Sequence, residues 1–121
     1  AGEFKWKYSD RRFPFMAAPA VDKKNVYIGG RDKKVHAISR ESGDPIWTFK
    51  TGGRVESSPI LFTDGVVCGS SDGRLYAIDL KSGDEAWKIV LGESLVAAAS
   101  YAKGTILIGS EDGTLFALGK K

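Results

Sequence analysis

The sequence predicts an all-β chain assembled from repeats of one four-stranded antiparallel unit. Three observations carry that expectation: a 40-residue internal period, four short apolar runs within each period, and no sustained 3.6-residue apolar pattern of the kind that marks a helix. The period is plain in the spacing of Gly29, Gly69 and Gly109, of Asp32, Asp72 and Asp112, and of Ala37, Ala77 and Ala117. Gly43 pairs with Gly83, Trp47 with Trp87, and Ala18-Pro19 with Ser58-Pro59. Residues 26–65 and 66–105 share 10 identities in 40 ungapped positions. Trp6 stands 41 residues before Trp47, so one extra residue falls between Trp6 and Pro19.

The middle copy shows the unit most clearly. Ser57 to Phe62 is a brief apolar run, and Thr63-Asp64-Gly65 turns the chain. Val66 to Ser70 follows, then the turn Ser71-Asp72-Gly73, where Asp favours local hydrogen bonds and Gly accepts a positive φ. Leu75 to Asp79 is the third strand, Lys81-Ser82-Gly83-Asp84 the next turn, and Glu85 to Leu91 the fourth strand, centred on Trp87. Four strands in about 40 residues, repeated, is the pattern of a propeller blade. With strands lettered A to D from the axis outward, residues 3–9 read as a lone outer strand carrying Trp6. Residues 15–50 and 56–91 read as two full blades. Residues 95–118 read as three strands of a blade that an N-terminal outer strand completes.

About three blades make a half-propeller, and rings close with four to eight. A lone arc exposes blade faces and a strand edge. The economical expectation is a homodimer forming a six-bladed ring, each N-terminal strand completing the partner's last blade. The competing expectation is a segment of a longer ring.

Composition narrows the function classes. The chain has 121 residues, is 42% hydrophobic and 27% charged, and suits one globular domain. No run approaches the roughly 18 apolar residues of a spanning helix; the longest small and apolar stretch, Leu95 to Ala102, is interrupted by Ser100. A single cysteine, Cys68, and a single histidine, His36, rule out an internal disulfide and a zinc module built from the two. The first residues, Ala1-Gly2-Glu3-Phe4, lack an initiator Met, as after processing or at an engineered junction. The net charge of +3 is uneven: residues 1–60 carry 12 Lys/Arg against 7 Asp/Glu, and residues 61–121 carry 6 against 8.

The stretch Ala77-Ile78-Asp79-Leu80-Lys81-Ser82-Gly83-Asp84-Glu85-Ala86-Trp87 resembles the tryptophan-docking motif of pyrroloquinoline-quinone-like (PQQ-like) propeller repeats, A-x-D-x-x-T/S-G-x-x-x-W. Ala37 to Trp47 resembles it too, with Ser39 in place of the Asp. The resemblance covers essentially the whole chain. It implies that Trp6, Trp47 and Trp87 are blade-docking side chains, that Gly43 and Gly83 permit the tight turn before the Trp, and that Ala37 and Ala77 belong to the same motif. Family members include BamB-like scaffolds, sensor domains and quinoprotein dehydrogenases. The resemblance points to a periplasmic or other extracytoplasmic compartment, which no residue fixes.

Catalytic templates fail on the residues. The dehydrogenases of this superfamily hold quinone and calcium around a full ring and carry adjacent cysteines, whereas Cys68 stands alone in an apolar strand. His36 occupies the position of Tyr76 and Phe116, an aromatic-sized packing site, and no triad can be built around it. Asp32, Asp72 and Asp112 read as turn residues. Thr51-Gly52-Gly53-Arg54 lacks a phosphate-loop ending, and no calcium loop surrounds Asp72 or Asp112. No enzyme activity and no cofactor or metal are therefore expected.

One departure from the repeat is basic. The first B–C turn is Arg31-Asp32-Lys33-Lys34, where the third copy has Glu111-Asp112-Gly113-Thr114. The D–A links, which lie on the same face, add Arg11, Arg12 and Arg54. These six form a candidate face for an anionic partner, without the aromatic interleaving that nucleic-acid binding uses. The expected function is a non-catalytic module for protein–protein or ligand binding and scaffolding. The alternatives are a self-assembling half-propeller without a ligand, natural or engineered, and a fragment of a quinoprotein dehydrogenase.

Overall fold

Eleven strands are formed among the described residues, each bounded by a turn whose chemistry the sequence supplies. The structure is a computed structural model that describes residues 3, 5–9, 15, 18–62, 64–95, 100–102 and 104–119. The first sheet contains β1 (Ala20–Val21), β2 (Asn25–Gly29), β3 (Lys34–Ser39) and β4 (Pro45–Lys50). The second contains β5 (Ile60–Phe62), β6 (Gly65–Gly69), β7 (Arg74–Asp79) and β8 (Glu85–Val90). The third has β9 (Ser100–Ala102), β10 (Thr105–Gly109) and β11 (Leu115–Gly119). Every pairing is antiparallel between sequence neighbours, so each sheet is a meander and the whole is a partial β-propeller.

Turn residues act as their chemistry requires. Asp79 Oδ1 accepts the backbone N–H groups of Lys81 and Ser82, both at 2.9 Å, before Gly83 takes a φ of +76°. In the first blade Ser39 Oγ accepts only the N–H of Ser42, at 3.3 Å, and Gly43 takes +79°. A hydroxyl thus performs half the work of the carboxylate it replaces.

Strand parity builds the core. Tyr27, Val35 and Ala37 on one face of the first blade meet Val55, Val66, Cys68 and Ile78 of the second. One period on, Val67, Leu75 and Ala77 meet Leu95, Ile106 and Ile108 of the third. Along the second and third strands of the first two blades, alternation sends odd residues to the following blade and even residues to the preceding one; in β5 the parity inverts, with Ile60 and Phe62 packed toward the third blade and Leu61 toward the first. Fully burying each Val or Leu contributes about 1.5–3 kcal/mol, so the interfaces between blades hold the arc together.

Residues 5–9 form no strand, where the sequence suggests a lone outer strand over 3–9. A strand requires a neighbour for its ladder, and among the described residues no sheet lies beyond the first blade. Thr63 of the expected Thr63-Asp64-Gly65 turn and residues 96–99 of the apolar run lie outside the described residues.

Candidate functional site

Two surfaces carry the chemistry of this chain: the face where B–C turns meet D–A links, and the faces where blades stack. The first is assembled by backbone hydrogen bonds that repeat along the arc. Val55 N donates to Gly30 O at 3.0 Å, Leu95 N to Ser70 O at 3.1 Å, Ser71 N to Arg54 O at 2.9 Å and Glu111 N to Ser94 O at 2.8 Å. Each link is thereby fastened both to the turn of the blade it leaves and to the turn of the blade it enters.

On this scaffold Arg31 and Arg54 come together. The Nε atom of each lies 3.4 Å from Glu56 Oε1, so two guanidiniums share one carboxylate. Lys33 is exposed and Lys34 half-buried on the same turn, while Arg11 and Arg12 lie outside the described residues. Glu56 escaped sequence reasoning, although its departure from Val96 one period later is a readable signal.

The turn aspartates brace their own turns, Asp32 and Asp72 half-buried and Asp112 exposed. Asp32, Asp72 and Asp112 each accept, on Oδ1, the N–H two residues on: Lys34 at 3.1 Å, Arg74 at 3.0 Å and Thr114 at 3.1 Å. The second oxygen differs between copies. Asp72 Oδ2 accepts from Tyr76 Oη at 2.5 Å and from Gly52 N at 3.1 Å, tying the turn to the link of the preceding blade. Burial opposes the ionisation of Asp72, but hydrogen bonds from Tyr76, Arg74 and Ser70 outweigh it and hold its carboxyl below the usual range. Burial, then the adjacent Asp72, push the Tyr76 phenol up. In the first blade His36 takes the place of Tyr76: Nε2 bonds Asp32 Oδ2 at 2.8 Å and Nδ1 bonds Tyr8 Oη at 2.9 Å. Tyr8 and Phe15 also flank the imidazole edge-on, at 5.5 and 5.3 Å between ring centroids. The site is aromatic-sized, as the repeat implies, and it also holds the N-terminal segment.

At the stacking faces the indole Nε1 of Trp47 donates to Leu80 O of the second blade at 2.9 Å, with its ring directly over Gly83. Trp6 Nε1 donates to Arg40 O at 2.8 Å, with its ring over Gly43. Tyr8 meets His36 much as Phe49 meets Tyr76, at 5.5 Å in both cases. The segment around Trp6 therefore sits on the first blade as β4 sits on the second. Ala37 and Ala77 are fully buried opposite Trp47 and Trp87 in the ladders. Trp87 packs 6.2 Å from Phe62 and, with Tyr101, Ile106 and Leu118, lines a cavity of about 750 Å³.

Among the described residues nothing covers the far face of the third blade. Leu107 is 37% exposed and Leu115 69%, whereas their counterparts Tyr27, Val67, Val35 and Leu75 are fully buried. The same residue classes in the same register are therefore inside two interfaces and outside a third.

Cys68 is fully buried in β6, its thiol pushed up to about 12 by burial, far from a reactive thiolate. Among the described residues no three His, Cys, Asp or Glu side chains converge as a metal site. No helix among them is long and apolar enough to cross a membrane.

Comparison with known proteins agrees with this architecture. Among curated proteins none matches the chain. Among solved structures it is similar to the quinohemoprotein alcohol dehydrogenase ADHIIG of Pseudomonas putida HK5, with a TM-score of 0.83 and 23% identity over 92% of this chain and 20% of that one. It is likewise similar to BamB of Moraxella catarrhalis, with a TM-score of 0.77 and 21% identity over 92% of this chain and 35% of that one. The chain thus spans a fifth to about a third of these proteins, and at such identities the likeness speaks to fold alone. A family model described as outer membrane protein assembly factor BamB matches residues 2–121. With its Trp-over-Gly contacts and 40-residue blades, the chain belongs to that BamB family of PQQ-like propeller proteins.

Proposed function

We propose that the chain is a non-catalytic propeller module that works by binding protein, and that its first partner is a second copy of itself. The observation that carries this reading is the uncovered third blade, whose Leu107 and Leu115 repeat the residues buried in both interior interfaces. Those interfaces also show what covers such a face: the even-numbered side of another blade, carrying Val66, Cys68 and Ile78 in one case and Ile106 and Ile108 in the other. The first blade presents that side in Val26 and Ile28, both half-buried. Face and counter-face at opposite ends of one arc lead to head-to-tail closure, and two arcs give six blades. In the closed ring the segment bearing Trp6 supplies an outer strand beside β11, which among the described residues pairs with β10 alone, and Trp6, Trp47 and Trp87 are the blade-docking anchors. Scaffolding is in keeping with the assembly-factor family.

Light scattering after size exclusion tests this across a dilution series. The expected mass is about 26 kDa, twice the 13.0 kDa of the chain, and Leu115→Glu is expected to return it to the single-chain value with unchanged circular dichroism. A single-chain mass at every concentration refutes ring closure and favours the reading as a segment of a larger propeller.

A further inference from the structure

The first B–C turn places a charge where the fold prefers none. Lys33 holds φ at +71° and is the only non-glycine with a positive φ among the described residues; its counterparts Gly73 and Gly113 take +84° and +90°. A side chain in the left-handed region is disfavoured because Cβ crowds the backbone. Such outliers persist where the position serves something other than folding.

The neighbouring charges are likewise surplus to the repeat. Arg31 is replaced by Ser71 and Glu111 in the other copies, Arg54 by Ser94 and Glu56 by Val96. The contacts that fasten turn to link are backbone hydrogen bonds in every copy, so these side chains are not needed for them. Arg31 Nε and Glu56 Oε1 are shut off from solvent yet form no hydrogen bond. One carboxylate divided between two guanidiniums satisfies neither, and the Arg31 and Arg54 side chains remain 39% and 55% exposed. The nearby aspartates do not neutralise them: Asp32 is turned to His36, and Asp72 to Tyr76 and Gly52.

We propose that Arg31, Lys33, Lys34 and Arg54 form a binding site for an acidic peptide segment, with Glu56 holding the two guanidiniums in place until carboxylates of the ligand engage them. Planar guanidiniums match carboxylates bidentately, and two lysines beside them extend the site along a chain of acidic side chains. Residues 30–34 and 51–58 include no aromatic side chain, so the site has no stacking platform for bases and favours peptide over nucleic acid. The inference rests on the reading of the chain as a binding module but not on ring closure, because this face is distinct from the stacking face.

The test uses a fluorescein-labelled oligoglutamate peptide and fluorescence anisotropy at several NaCl concentrations. Saturable binding that weakens with salt is expected. Lys33→Gly, which installs the residue of the sister turns, is expected to raise the melting temperature while lowering affinity. Arg31→Ser combined with Arg54→Ser, again sister residues, is expected to lower affinity about tenfold with little change in melting temperature. Lys88→Ser on β8 removes one positive charge, as Lys33→Gly does, and serves as its control; it is expected to bind normally. Absence of peptide binding by the parent chain, equal losses in the control, or tighter binding of an oligothymidylate each overturn the proposal. The mass measurement is read separately, so ring closure and the acidic-peptide site fail independently.

Discussion

The indole of Trp47 lies so close over Gly83 that a Cβ at that glycine would stand 2.6 Å from the Trp47 Cγ. The same glycine holds a φ of +76°, so two constraints coincide at one position. A turn that needs the left-handed region and a neighbour that needs the space of a missing side chain make position 83 a doubly constrained joint between the first two blades. Trp6 and Gly43 repeat the arrangement one blade earlier, with a Cβ 2.7 Å from the ring and a φ of +79°.

Two glycines with similar backbones separate these causes. Gly83→Ala incurs both the left-handed penalty and a clash with the indole, and is expected to destabilise by about 3 kcal/mol. Gly113 has a φ of +90° but nothing within 4 Å of its would-be Cβ. Gly113→Ala is therefore expected to cost about 1 kcal/mol. Urea unfolding of the two variants checks the difference; equal losses mean that the indole contact contributes nothing beyond the turn.

Position 36 exchanges one aromatic hydrogen-bonding partner for another. Tyr76 bonds Asp72 where His36 bonds Asp32. His36→Tyr keeps a donor for Asp32 and is expected to change stability by no more than about 0.5 kcal/mol. His36→Phe supplies the residue type of Phe116 but leaves the Asp32 carboxylate without its ring partner, at a cost of about 1–2 kcal/mol. Thermal melts at neutral pH distinguish them, and a Phe variant as stable as the Tyr variant would show that packing alone sets this site.

Asp72 makes stability depend on pH in a stated direction. Its carboxyl is held below the usual range, because hydrogen bonds from Tyr76, Arg74 and Ser70 outweigh the opposing burial. A depressed folded value means that the stabilisation is present above the unfolded pKa of about 3.9 and is lost as pH falls through the folded value. Asp72→Asn is expected to be less stable than the parent by about 1–2 kcal/mol at pH 7, with the gap closing below about pH 4. Urea midpoints measured across that range check it; a gap independent of pH would mean that the charge of Asp72 does not matter.

Much of this molecule is legible in the chain because its constraints are local. A 40-residue period, Asp at the B–C turns and Gly four residues before Trp47 and Trp87 depend on backbone sterics and hydrogen bonds within a few residues. Alternation along a strand then places Tyr27, Val35 and Ala37 on one face, the face that the structure buries against the second blade. The outer strand expected over 3–9 depends on a neighbour outside the single arc, although the Trp6 contacts already follow those of β4. The candidate basic face was legible as a set of charges, while the pairing of Arg31 and Arg54 through Glu56 was not. Those three come from two segments more than twenty residues apart in the chain, and only the fastening of turn to link brings them within reach.

By itself, then, the sequence determined the repeat, the strand order, the turns and the residue classes of the interfaces, all of which follow from spacing. Only the tertiary structure decided how each polar group was satisfied: which oxygen of Asp72 meets Tyr76, which carbonyl the Trp47 indole reaches, and that His36 joins Asp32 to Tyr8. The physical reason is that periodicity sets the face a side chain occupies, whereas hydrogen bonds and ion pairs require distances that exist only once separate blades have stacked.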